Sequence, residues 1–344
     1  RAMKIPATII TGFLGAGKTT LIRHLLENAN GKRIALVINE FGELGIDREM
    51  ITGCGIKGCD DNAVLELANG CICCTVADDF LPTMETLLHR VEPPDHIVIE
   101  TSGLALPKPL VRAFNWPEIR SQVTVDGVIA VVDSLAVSEG RFASDPDAVQ
   151  RAREADEALD HDAPLEEVFE DQLLCADMVL LNKCDLLDSE RLESVLRDLD
   201  NNTAAAVRIV ATSHGAIDPL VLLGIGAAVE HVIEGRRSHH DGEEEHDHDD
   251  FESFIIDLGV VDDPEVLEAR IRAAAVSHDI LRVKGFVDIR GKDMRHVVQA
   301  VGQRIERYYD RPWAAGESRR SELVVIGEAG LDRASIAAAI GAKN

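Results

Sequence analysis

The chain has 344 residues, 46% of them apolar, with 35 Lys+Arg against 61 Asp+Glu for a net charge of −26. Such a composition folds as a globular protein, and the length allows one large domain with a smaller one. The charge excludes sequence-independent nucleic-acid binding. The longest uncharged run, Ile5–Gly17, has 13 residues, where a membrane-spanning helix needs about 20.

In chain order, Ala7–Thr11, Ile34–Ile38, Ile97–Ile99, Val128–Val132, Met178–Leu181 and Val207–Val210 read as buried parallel strands. Helical patterns such as Thr19–Glu27 and Ser189–Leu199 fall between them. This alternation predicts an α/β domain with a mostly parallel sheet over residues 1–235. Glu154–Asp171 holds nine acids in 18 residues and reads as an exposed helix or insertion. His239–Asp250, HHDGEEEHDHDD, cannot enter a core, so residues 236–250 are expected to form a solvated linker. Beyond it, strands are expected at Phe251–Leu258, Ile280–Ile289 and Leu323–Ile326, and helices at Pro264–Ser277, Arg295–Ile305 and Asp332–Ile340. Residues 251–344 thus read as a small α+β domain.

Gly12-Phe13-Leu14-Gly15-Ala16-Gly17-Lys18-Thr19 matches GxxxxGK[ST] between a strand and a helix. The glycines let backbone N–H groups face a phosphate, and the helix N-terminus adds positive potential. Lys18 is placed to reach the β/γ-phosphates and Thr19 to bind Mg²⁺. A strand ending in Glu100 supplies a carboxylate for Mg²⁺, and Gly103 an N–H for the γ-phosphate. Asn182-Lys183-Cys184-Asp185 matches the NKxD pattern of GTPases. The Asp185 carboxylate can accept guanine N1–H and the 2-amino group, a donor pair adenine lacks, which predicts GTP rather than ATP. Thr212-Ser213-His214 reads as a second guanine-facing loop. Asn39–Asp47, rich in glycine and acids, reads as a switch segment or a plain surface loop.

Cys54, Cys59, Cys71, Cys73, Cys74, Cys175 and Cys184 make an odd number, which together with their clustering argues for a reducing, cytoplasmic setting. Cys71, Cys73 and Cys74 lie within four positions and suit a soft metal. An extended segment presents Cys71 and Cys73 together, and a turn Cys71 and Cys74. Cys54 and Cys59 read equally as a second metal pair or as incidental loop residues; Cys175, Cys184 and His96 read as structural. The histidines of 239–250 either collect metal ions weakly or are incidental to a charged linker.

The motifs GFLGAGKTT, NEFGELGID, ANGCICC, ETSGLALP and NKCD, in this order, resemble the CobW family of P-loop GTPases, which are metallochaperones; RVKGFVDI and DRPW are similar to that family's C-terminal domain. Cys54–Cys59 and the acidic stretch resemble its cobalamin-biosynthesis branch. The resemblance implies nucleotide binding by Gly12, Gly15, Ala16, Gly17, Lys18, Thr19 and Thr20, with Gly103. It implies Mg²⁺ at Thr19 and Glu100, and guanine at Asn182, Lys183 and Asp185. It places metal on Cys71, Cys73 and Cys74, with Glu43 as helper. The implied function is GTP-driven delivery of Co²⁺ to a client such as cobaltochelatase, with a nucleotide-dependent homodimer possible. A zinc chaperone of the same family and a non-catalytic metal buffer are the alternatives.

Overall fold

The computed structural model describes residues 3–39, 65–66, 72–76, 80–101, 108–155, 164–225 and 250–342. Two compact units emerge: Lys4–Ala204 with Ile209–Ile217, and Asp218–Asn344 with Ala205–Arg208 and Arg1–Met3.

In the first unit, β1 (Ile5–Thr11) leads into α1 (Lys18–Glu27), then β2 (Ile34–Asn39), β3 (Leu65–Glu66) and β4 (Ile72–Val76). There follow α2 (Phe80–Leu88), β5 (His96–Thr101), α3 (Lys108–Ala113), α4 (Pro117–Arg120) and β6 (Val123–Asp133). The remainder is α5 (Ser134–Ser138), α6 (Pro146–Glu154), α7 (Leu165–Cys175), β7 (Met178–Asn182), a 3-10 turn at Cys184–Leu186, α8 (Ser189–Asp200) and β8 (Arg208–Ala211). The sheet runs β3-β4-β2-β5-β1-β6-β7-β8. The pairs from β4 through β7 are parallel, and β3 runs antiparallel to β4.

Central parallel strands are buried on both faces, which is why they read as unbroken apolar runs. Ala7, Ile9, Val37, Ile97, Ile99 and Val128 pack with Met84 and Leu87 of α2. Leu21, Ile22 and Leu25 of α1 are also buried. Burying each such Leu, Ile or Val contributes about 1.5–3 kcal/mol. β1 lies between β5 and β6 at the centre, so its carboxyl end opens onto the crevice where α/β sheets bind ligands. The acidic stretch takes in the end of α6 and most of α7; 156–163 lies outside the described residues.

In the second unit, α9 (Pro219–Leu223) precedes β9 (Phe251–Asp257), β10 (Val260–Val261), α10 (Pro264–Ser277), β11 (Ile280–Ile289), β12 (Met294–Val301), β13 (Arg304–Pro312), β14 (Glu322–Glu328) and α11 (Arg333–Ile340). The sheet order is β13-β12-β11-β14-β9, antiparallel throughout, with β10 parallel to β11. Val283, Val287, Val298, Leu323 and Val325 pack with Leu267, Ile271, Ile336 and Ile340. Residues 295–305, expected to be helical, instead form β12, a two-residue hairpin at Gly302-Gln303 and the start of β13. Val297 and Val298 are both buried, so the strand has two covered faces and no alternation to distinguish it from a helix. The linker at 236–249 lies outside the described residues.

Candidate functional site

The turn after β1 is shaped by close backbone passage. Gly12 sits at φ 146°, and a Cβ there would stand 2.4 Å from the Val131 carbonyl oxygen of β6. Gly17, at φ 106°, would place its Cβ 2.1 Å from Asn182 Nδ2. Only glycine passes both points. Gly17 is also the N-cap of α1 and supplies no side-chain cap, and the first turn of α1 holds no acid. The free amides and the positive helix end therefore face the loop. Thr19 and Thr20 lie on that turn, the latter exposed. Lys18 is buried and donates from Nζ to Gly12 O at 2.5 Å and Phe13 O at 3.3 Å. Its ammonium is thus held by the loop's own carbonyls.

Glu100 lies near the end of β5, 5% exposed, in register with Ile10 of β1 and Ile38 of β2. A buried carboxylate beside the loop needs a compensating cation or donors. Its hard oxygens, with the Thr19 hydroxyl, are the donor chemistry Mg²⁺ takes. Gly103, Glu43 and Cys71 lie outside the described residues, as do positions 40–47 of the expected switch and Cys54 and Cys59. The backbone of Cys73 and Cys74 is extended in β4, opposite Leu36 and Val37 of β2.

The base-side loop is built around Asn182 at the end of β7. Its Nδ2 donates to Ala16 O at 3.0 Å, and its Oδ1 accepts from Gly215 N at 3.1 Å. One amide therefore ties the phosphate loop to the 212–216 loop. Lys183 follows at φ 63°, and its Nζ pairs with Asp133 Oδ2 at 2.5 Å. Asp133 also caps α5 by accepting from Ala136 N at 3.0 Å. Sequence reasoning passed over Asp133, although an acid directly after the apolar run Val128–Val132 was the available signal. The Cys184 thiol donates to Leu181 O at 3.1 Å, and burial pushes it up. Asp185 turns a partly exposed carboxylate outward, 3.5 Å from His214 Nε2. Of the expected site residues, the fold joins Gly17, Ala16 and Asn182 directly and sets Lys183 and Asp185 beside them.

His96 is buried, its Nε2 2.8 Å from Thr8 Oγ1. Among the described residues no group of three or more His, Cys, Asp or Glu could hold a metal ion. No helix among them is long and apolar enough to cross a membrane.

Residues 6–210 match the CobW/HypB/UreG nucleotide-binding domain, and 251–343 the cobalamin synthesis protein cobW C-terminal domain. The chain is 55% identical over 341 residues to a zinc chaperone CobW from a Sinorhizobium species, spanning 98% of this chain and 96% of that protein. It is 55% identical over 339 residues to the Pseudomonas aeruginosa zinc chaperone CobW, covering 97% and 90%. The Escherichia coli zinc chaperone YjiA is 31% identical over 334 residues, 94% of each chain. The glycine-lined phosphate loop, the NKxD segment and these matches agree: the chain belongs to the CobW/HypB/UreG family of P-loop GTPases and carries that family's CobW C-terminal domain.

Proposed function

We propose that this protein is a GTP-dependent zinc chaperone. The observation that carries the reading is the Asn182 amide, which clamps Ala16 of the phosphate loop to Gly215 of the base-side loop. The clamp sets the loop expected to hold the phosphates beside the loop expected to read the base. Lys18 exchanges the carbonyls of Gly12 and Phe13 for the β/γ-phosphates, cradled by the amides of Gly12, Gly15, Ala16, Gly17, Thr19 and Thr20. Thr19 and Glu100 hold Mg²⁺, which neutralises charge on the transferring phosphate when bound. Gly103 donates to the γ-phosphate. Asp185 accepts from guanine, between Asn182 and Lys183.

The cargo is held by Cys71, Cys73 and Cys74, with Glu43 or another acid of 39–47 as a switch-borne helper. The resemblance of the motifs implied Co²⁺; Zn²⁺ is the better-supported cargo. Three full-length relatives carry the name zinc chaperone, and a given N/O/S site generally binds Zn²⁺ more tightly than Co²⁺. GTP with Mg²⁺ orders the switch and completes the cargo site; hydrolysis dissolves it and releases the ion to a metal-accepting client in the cytoplasm. The linker at 236–250 separates the two domains, and a nucleotide-dependent homodimer and a cobaltochelatase client belong to the same reading.

Zinc and cobalt affinities measured by chelator competition, with a non-hydrolysable GTP analogue plus Mg²⁺ and then with GDP, test the proposal. Binding about 100-fold tighter in the triphosphate state, roughly 2.7 kcal/mol of coupling, is expected. Cys71→Ser and Cys73→Ser should abolish the difference, and Lys18→Ala should abolish hydrolysis. Equal affinity in both nucleotide states would overturn the switch.

A further inference from the structure

Two of the three described non-glycine residues with positive φ flank Asp185: Lys183 at 63° and His214 at 56°. Such a backbone is costly for a residue with a side chain and persists only where its surroundings impose it. At His214 they do. Thr212 N donates to Leu181 O at 2.8 Å, Cys184 N to Thr212 O at 3.1 Å and Ala216 N to Ser213 O at 3.0 Å. Thr212 Oγ1 donates to Ala216 O at 2.8 Å, and Gly215 N to Asn182 Oδ1 at 3.1 Å. The side chain on this backbone is 82% exposed, yet its Nε2 stands 3.5 Å from Asp185 Oδ2.

Among the described residues the Asp185 carboxylate accepts no hydrogen bond, and the imidazole is its described partner. The neighbouring charges are otherwise engaged: Lys183 is paired with Asp133, and the Cys184 thiol is turned to Leu181 O. A carboxylate offers about four lone-pair sites. Guanine takes two and an imidazole one, so base and histidine can be held together.

We propose that His214 is a specificity-determining positioning residue of the guanine pocket, its imidazole holding the Asp185 carboxylate towards the N1–H and 2-amino donors of the base. The inference rests on the reading of Asp185 as the guanine acceptor. Removing the imidazole therefore lowers the preference for guanine.

The test uses the full chain and competition of GDP and IDP against a fluorescent GDP analogue. IDP lacks only the 2-amino group, and the phosphates are common to both ligands, so their contribution cancels in the ratio of Kd values. The wild type should prefer GDP about threefold more strongly than His214→Ala does, the scale of an exposed polar contact. His214→Gln, which keeps a side-chain donor, should restore part of the preference. An unchanged ratio in His214→Ala would overturn the proposal. Asp185→Ala separates the two levels: if it keeps the wild-type preference, the acceptor reading itself is wrong. If it loses the preference while His214→Ala does not, only the role of His214 fails.

Discussion

Asn182 occupies the space that any side chain on Gly17 would need, with its Nδ2 2.1 Å from the position of that Cβ. The same nitrogen donates to Ala16 O. Gly17→Ala must therefore displace the clamp as well as strain a backbone at φ 106°. Loss of GDP binding by at least tenfold is expected, with a stability cost of about 1–3 kcal/mol. Gly31, at φ 78° with nothing within 4 Å of its Cβ position, is the control. Gly31→Ala should cost only about 1 kcal/mol and leave binding intact. Fluorescent-nucleotide titration with thermal unfolding reads both, and equal behaviour of the two variants would refute the clamp.

Asp185→Asn exchanges a charged acceptor for an amide that can donate. GTP affinity should fall by a factor of about 10 to 150, the loss of a charged hydrogen bond of roughly 1.5–3 kcal/mol. Affinity for xanthosine triphosphate, whose ring presents an oxygen at that edge, should rise. A variant that still prefers GTP to the wild-type extent would show that the base is read elsewhere.

Arg295 and Asp310 form an ion pair across β12 and β13 with side chains 4% and 0% exposed. The guanidinium also lies 4.8 Å from the centroid of the Phe286 ring. Asp310→Ala removes the carboxylate paired with a buried cation and should destabilise the second unit by about 3–5 kcal/mol. The double variant Arg295→Met with Asp310→Leu removes both charges and should cost less than half of that. Urea unfolding of the three proteins decides between the charge and the volume of the site.

His296 is buried on β12 against Tyr309, with ring centroids 4.6 Å apart, and neither ring nitrogen has a hydrogen-bond partner among the described residues. Burial first, and the nearby Arg307 charge second, push its pKa down to about 4. Between that value and the ordinary imidazole range the unfolded chain binds a proton that the folded chain refuses. Stability from this group is therefore full above about pH 6.5 and falls as pH drops towards 4. The loss from pH 7 to 5 should be about 2 kcal/mol. His296→Phe should remove it. Hydrogen exchange of the β11 and β12 amides at the two pH values measures the slope, and an identical slope in wild type and variant would exclude the histidine as its source.

The phosphate loop was legible in the sequence because its function is carried by backbone: glycine spacing, a preceding strand and a following helix are all local properties. The same holds for the apolar runs of β1, β2, β5 and β7, whose burial on both faces leaves an unbroken signature. Where both faces are covered and the run carries helical spacing, as at Val297, Val298 and Val301, the same physics hides a strand. Cys73 and Cys74 could be read as a metal motif, but the extended path of β4 beside β2 depends on residues far along the chain. The clamp of Asn182 on Ala16, the hold of Asp133 on Lys183 and the approach of His214 to Asp185 were set by tertiary structure alone. Their partners are brought together by the order β1-β6-β7-β8 in the sheet. A side chain's hydrogen-bonding capacity is written in its residue type; which distant partner meets it depends on strand neighbours that no local pattern encodes.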